Sequence, residues 1–261
     1  MTIVAVSDVH LGYKQCNRPA FANFLDYIAS RNDVTDLVVV GDFLDMWRRD
    51  IAGVVLESIP ILDKLVDLQK SKSVHYIVGN HDYHMLSLKD HGYQFNFKDS
   101  IVLGSGNLNC RFLHGWEFDP SQNKIYFEAL CHSSDETGEK ISEAWDFFTS
   151  SWTIWGKLWS RISGQRSRVW TDLEHLLTPA EARLTKTLDV VNKNACNTAK
   201  PGELLVFGHT HWAFIAKAEN VVNTGCWVKG ATRTNTYVEI EAGKPKLLVF
   251  DGEEITERIE C

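Results

Sequence analysis

The sequence predicts an α/β fold in which a second β-sheet is stacked on the first, and three observations lead there. Five short runs of β-branched and apolar residues show almost no polar alternation, as strands buried on both faces do. Amphipathic helical patterns separate the first three runs, which sets parallel pairing with right-handed crossovers. Each run also ends abruptly in polar, metal-competent side chains, and open α/β sheets bind ligands beyond the carboxyl ends of their strands.

Residues 2–7 (TIVAVS) run into Asp8-Val9-His10; with no basic leader segment, this opening stretch reads as a strand rather than a signal peptide. Residues 19–31 place Phe21, Phe24, Leu25 and Ile28 at helical spacing. Residues 36–41 run into Asp42, with Asp45 close behind, and residues 51–70 repeat the helical pattern through Val55, Ile59, Leu62, Leu65, Val66 and Leu68. Residues 74–79 end in Asn80-His81-Asp82, residues 110–113 in His114-Gly115, and residues 203–208 in His209-Thr210-His211. Residues 218–222, 236–241 and 246–250 are expected to be further strands, separated by turns at 223–225 and 242–244, and a second sheet is their natural home. One domain over 1–261 accommodates these elements, with 118–197 expected as a mainly helical, tryptophan-rich cap insertion. There Phe148, Trp152, Trp155, Trp159 and Ile162 recur every three or four residues, beside the basic Lys157, Arg161, Arg166 and Arg168.

Composition narrows the classes. With 44% apolar and 23% charged residues the chain can fill a core and remain soluble. A net charge of −7 argues against nucleic acid as a partner, because such proteins present a basic face. No run nears the roughly 18 apolar residues of a membrane span. Cys16, Cys110, Cys131, Cys196, Cys226 and Cys261 show no paired spacing, so reduced thiols and a cytoplasmic location are expected. The tryptophan stripe reads first as packing within the cap. Its basic flank keeps a second reading open, peripheral contact with an anionic membrane or a lipid-bearing substrate.

Singly, the five clusters are ordinary; together, each at a strand end, they supply Asp8, His10, Asp42, Asn80, His114, His209 and His211. His209 and His211 alternate on an extended segment and face the same way. Mixed imidazole and carboxylate donors suit manganese, iron, zinc, cobalt or nickel better than magnesium or calcium. Four histidines and two aspartates exceed the needs of one cation, whereas two cations sharing one carboxylate use all seven groups.

In identity and order these blocks resemble the five motifs of calcineurin-like metallophosphoesterases, over residues 8–211. The resemblance implies a four-layer sandwich of two mixed β-sheets flanked by helices. It implies two divalent transition-metal ions, manganese first among them. Asp8, His10, Asp42 and His211 would hold one; Asp42, Asn80, His114 and His209 would hold the other, with Asp42 as the bridge. The reaction implied is hydrolysis of a phosphoester or pyrophosphate bond by a metal-bridging hydroxide, on a small-molecule substrate. His81 would hydrogen-bond a phosphoryl oxygen or protonate the leaving oxygen, and Asp82 would orient its ring. Residues 222–227 resemble the loop that follows the last histidine pair in that family. Arg48, Arg49 and Asp45 form a candidate substrate-side group, the arginines reading equally as grips on a distal phosphate or as surface charge. His75, His91, His132 and His175 are expected to be structural or superficial, and His84 to lie on a solvated loop.

Residues 41–47 (GDFLDMW), and a helical insertion after His114-Gly115, are also similar to the UDP-2,3-diacylglucosamine hydrolase branch, which cleaves a nucleotide–sugar pyrophosphate under a helical cap. Asp45 stands where that branch tends to carry Glu, and Trp116 where it carries an acidic residue. A phosphoprotein phosphatase and a non-catalytic interaction protein on the same scaffold are the alternatives; the complete ligand set speaks against the second.

Overall fold

β1 (Thr2–Val6), β2 (Val34–Val40) and β3 (Ser73–Ile77) pair in parallel, connected through α1 (Arg18–Ser30) and α2 (Ile51–Leu68). The computed structural model describes residues 1–48, 50–88, 93–122, 179–216, 218, 220–231, 233–252, 254–255 and 258–259, the last pair and 179–187 by backbone alone. Arg49, His91, His132, His175 and the tryptophan stripe lie outside the described residues.

The first sheet continues through β4 (Phe97–Lys98) on one side. On the other, β10 (Thr236–Glu241) runs antiparallel to β1, and β11 (Lys244–Val249) lies beyond it. The second sheet has the order β12-β8-β9-β7-β6-β5. Its strands are β5 (Ser100–Ser105), β6 (Leu108–Leu113), β7 (Glu203–Phe207), β8 (Phe214–Ala216), β9 (Val221–Asn223) and β12 (Arg258–Ile259). Both sheets mix parallel and antiparallel pairs.

This partition corrects the expected one. Of the three strands expected over 218–222, 236–241 and 246–250, only the first, β9, joins the second sheet; β10 and β11 extend the first. The cause is a match of faces: Ile3 pairs with Ile240 and Ala5 with Val238, so β10 continues the inward apolar face of β1.

Alternation along each strand divides the core into three. Ile3, Ala5, Val38, Val40 and Ile77 meet Phe112, Leu204, Val206, Ile215 and Val222 between the sheets. Val4, Val6, Leu37 and Val39, on the opposite face, pack with Phe21, Phe24, Leu25 and Ile28 of α1 and Val54, Ile61 and Leu65 of α2. The outer face of the second sheet, with Leu205, Phe207 and Phe214, is covered by Val191 and Ala195 of α3 (Pro179–Thr198) and by Phe118. Helices, sheet, sheet and helix therefore form four layers. Fully burying one large apolar side chain contributes about 1.5–3 kcal/mol, so this division accounts for most of the driving force. Both Phe118 and α3 lie inside the segment expected as a cap, and they belong instead to this outer layer.

Cys16, Cys110 and Cys226 are free and buried, but Cys196 is disulfide-bonded, which corrects the expectation of uniformly reduced thiols and removes the cysteine argument for a reducing compartment. Among the described residues no helix is long and apolar enough to cross a membrane.

Candidate metal centre

The ends of β1, β2 and β3 in one sheet and of β6 and β7 in the other converge along one edge of the sandwich. Backbone hydrogen bonds stitch them together: Asp8 N to Gly41 O (3.1 Å), His10 N to Asp42 O (2.9 Å), Gly208 N to His114 O (2.8 Å) and Trp227 N to Asp8 O (3.1 Å). Asp8, His10, Asp42, His209 and His211 all hold left-handed backbone, with φ between 50° and 64°. For a residue with a Cβ this conformation costs about 1–2 kcal/mol, so the surrounding structure must impose it. In the three loops after β1, β2 and β7 it turns the chain so that these side chains share one volume. Two glycines leave that volume free. A Cβ on Gly79 would overlap Asp42 Oδ1, and one on Gly208 would overlap Ser7 Oγ and Asp8 Oδ2.

The seven predicted donors come together. Asp8 Oδ1 lies 3.1 Å from His211 Nε2 and 3.7 Å from His10 Nε2, and the two Nε2 atoms are 3.1 Å apart. Asp42 Oδ2 lies 3.2 Å from His114 Nε2 and 3.7 Å from His10 Nε2. Asn80 Oδ1 lies 3.1 Å from His209 Nδ1. Donor atoms of Asp8, His10 and His211 fall within 4.8 Å of one another, as do those of Asp8, Asp42 and His114, and those of His10, Asp45 and His81. Asp8, His10, Asp42, Asn80 and His114 are buried, while His209 and His211 reach partly into solvent.

The donor set fits cations for a reason beyond residue type. His114 Nδ1 faces the Val40 carbonyl oxygen at 2.8 Å, so it carries the hydrogen. His114 Nε2 then presents a lone pair toward the Asp42 carboxylate, and neither it nor Asp8 Oδ1 has a hydrogen-bond partner among the described residues. Buried electron-pair donors aimed at one another need a positive charge between them. Without an ion, a proton takes that place. Burial opposes charge on His114, but Asp42 and Asp8 outweigh it and raise its pKa to about 10. Burial likewise opposes ionisation of Asp8 and Asp42, yet the facing imidazoles hold both carboxyls below their usual range.

The sequence profile of the calcineurin-like phosphoesterases matches residues 1–213. The chain belongs to the calcineurin-like phosphoesterase family. Solved structures similar to this calcineurin-like chain include a dimetal phosphatase from Danio rerio, at 12% identity and TM-score 0.48, covering 100% of this chain and 97% of that one. Another is an archaeal phosphodiesterase at 12% identity and TM-score 0.41, covering 95% and 99%. A third is a single mutant of Vps29 from Entamoeba histolytica at 15% identity and TM-score 0.42, covering 100% and 99%. No curated protein sequence matches the chain.

Around the seven donors of this calcineurin-like site, the structure reassigns two carboxylates. Asp82 does not orient His81. Its Oδ2 accepts from Phe43 N (2.9 Å), Leu44 N (3.3 Å) and Tyr76 Oη (2.7 Å), and its Oδ1 from Gly79 N (2.6 Å), which fastens the β2 and β3 loops together. Burial first, and then Asp42, push its pKa up to about 6. Asp45 takes the orienting place. It is fully buried, and both its oxygens face imidazoles rather than the open side of the site: Oδ1 lies 3.1 Å from His81 Nδ1 and Oδ2 3.4 Å from His10 Nδ1. Arg48 pairs with Asp45, and its guanidinium stands 4.5 Å from the Tyr13 ring centroid, so its charge is engaged inside the site wall. Trp47 stacks on His81 with centroids 4.4 Å apart.

The loop at 222–227 closes the floor: Asn223 Nδ2 donates to Gly208 O (2.7 Å) and Thr210 Oγ1 (2.9 Å), and Thr224 Oγ1 sits 2.5 Å from Ser7 Oγ. His75 pairs with Asp36 at 2.9 Å on β3, in keeping with a structural role, and His84 is half-buried in the 3-10 turn Tyr83–Leu88. Sequence reasoning missed Ser7, which bonds Asp8 Oδ2, and Asp119, whose Oδ2 lies 3.2 Å from His209 Nε2. Neither has a periodic or motif signal.

Proposed function

We propose that this family member is a two-metal phosphoesterase. The observation that carries the reading is the position of the Asp42 carboxylate between two imidazole groups, His114 on one side and His10 on the other. Asp8, His10, Asp42 and His211 would hold one ion; Asp42, Asn80, His114 and His209 would hold the second. When bound, such a pair lowers the pKa of water at neutral pH and offsets charge on the phosphoryl oxygens. The chain's own residues supply the rest. His81, 2% exposed, has Nδ1 on Asp45 and a face against Trp47, so its Nε2 is directed at a fixed point. Burial pushes its pKa down to about 4, leaving the resting ring neutral. A phosphoryl anion brought against Nε2 raises the ring's proton affinity, so the group that must be protonated to donate is charged by the ligand it serves.

The substrate class proposed is a small-molecule phosphoester or pyrophosphate, nucleotide- or lipid-linked. The similarity of residues 41–47 to the UDP-diacylglucosamine hydrolase branch supports it. A cytoplasmic setting, with peripheral lipid contact through the tryptophan-rich segment, belongs to the same reading. The test is a screen of manganese-loaded protein against aryl phosphate mono- and diesters, cyclic nucleotides, UDP-linked sugars and phosphopeptides. Asp42→Asn should empty both sites by metal analysis and abolish turnover. Retention of two ions by that variant would overturn the bridging role, and a parent protein inert on every substrate would favour the interaction-protein alternative.

A further inference from the structure

We propose that Asp119 is a positioning residue that sets the tautomer of His209, and through it the affinity of one of the two metal positions; this rests on the reading of His209 as a ligand. His209 has acceptors on both ring nitrogens: Asn80 Oδ1 at 3.1 Å from Nδ1 and Asp119 Oδ2 at 3.2 Å from Nε2. A neutral imidazole has one hydrogen to place. On Nδ1 it would satisfy the amide oxygen but aim the Nε2 lone pair at a carboxylate. On Nε2 it makes the charge-assisted bond to Asp119 and leaves the Nδ1 lone pair facing the interior beside Asn80. The carboxylate therefore selects the tautomer in which Nδ1 is free to bind a cation. His114 reaches the same end by a different acceptor, with the Val40 carbonyl on Nδ1 and its free nitrogen, Nε2, pointing inward.

Asp119 is itself built in. It is 9% exposed, and its second oxygen, Oδ1, accepts from Ser121 N (2.8 Å) and Ser121 Oγ (2.6 Å), so Oδ2 is left for the histidine. Asp119 caps the end of the turn Trp116–Phe118, which follows His114-Gly115 and is tied to α3 by Asn194 Nδ2 donating to Phe118 O (2.9 Å). One short segment thus bears a predicted ligand of its own and the group that aims another, in the loop after β7. The sequence hid this relation because 90 residues separate Asp119 from His209.

The experiment compares the full-length parent with Asp119→Ala and Asp119→Asn. Long-range proton–nitrogen correlation spectra of the metal-free proteins, labelled in histidine, read which nitrogen of His209 holds hydrogen. The parent is expected to show the hydrogen on Nε2, the alanine variant a mixture of both forms. Calorimetric titration with Mn²⁺ should find one of the two ions bound about 10–100-fold more weakly by the alanine variant and the other unchanged. Asparagine, which keeps an oxygen but loses the charge, should fall between, and it carries the test if the alanine variant does not fold. Two ions held as tightly as in the parent, with an unchanged nitrogen pattern, would overturn the role of Asp119 and leave the two-metal reading standing. A parent that takes up no Mn²⁺ would overturn both.

Discussion

His81 owes its orientation to two residues of the loop after β2: Asp45 at Nδ1 and Trp47 across the ring face. Because it supplies no donor atom to the proposed ion pair, His81→Ala should keep both metals while losing on the order of 10²–10⁴ in rate. Turnover of an activated aryl phosphodiester, read beside metal content, checks this, and undiminished turnover would remove His81 from the chemistry. The donors were legible in the sequence because each follows an apolar run, a one-dimensional mark that survives without coordinates. Asp119 and Ser7 were not, since their relevance lies in contacts that only the folded chain creates. The exchange of roles between Asp45 and Asp82 has the same root. Asp82 is next to His81 in sequence and Asp45 is 36 residues away, yet the fold points Asp45 at the ring and gives Asp82 to four donors from β3 and the loops after β2 and β3.

The bounds of α1 and α2 were readable nearly to the residue from their apolar spacing, but the face α2 buries is Val54, Ser58, Ile61, Leu65 and Leu68, and Ile59 of the expected stripe is exposed. α2 also carries a local start signal, Asp50, whose Oδ1 accepts from Gly53 N at 2.6 Å. Asp50→Ala should cost about 1 kcal/mol, read as a lower denaturant midpoint with an unchanged slope. An equal midpoint would show that tertiary packing alone holds this end of the helix. Pro60 inside α2 is tolerated because Leu56, one turn earlier, is 66% exposed, which leaves the freed carbonyl there near water. Strand membership was less readable than strand existence. β8 spans three residues, too few to show a period, and the choice of sheet for β10 rests on pairing with β1 across more than two hundred positions. α3 was read as part of a cap, yet Asn192 and Asn194 reach from it to Thr210 and Phe118, so it buttresses both loops of the second sheet that serve the site.

At the scale of the molecule, burial of Asp8, Asp42, Asp45 and Asp82 within one cluster concentrates negative charge in a chain already at −7. An ion pair bound there only in the folded state should stabilise it by mass action. At a hundredfold excess of Mn²⁺ over its dissociation constant the gain is about 2.7 kcal/mol per site, or roughly 5–11 °C in melting temperature for a chain near this size. Thermal unfolding after chelation and after Mn²⁺ addition measures it, and coincident curves would count against a built site. The parentage of the donors gives this linkage a direction. β1, β2 and β3 bring Asp8, His10, Asp42 and Asn80, whereas β6 and β7 bring His114, His209 and His211. Sliding one sheet across the other by a fraction of a residue's length would pull the shell apart, so ions seated at this seam would act as rivets against shear, and the proposed turnover would then depend on the stiffness of the sandwich.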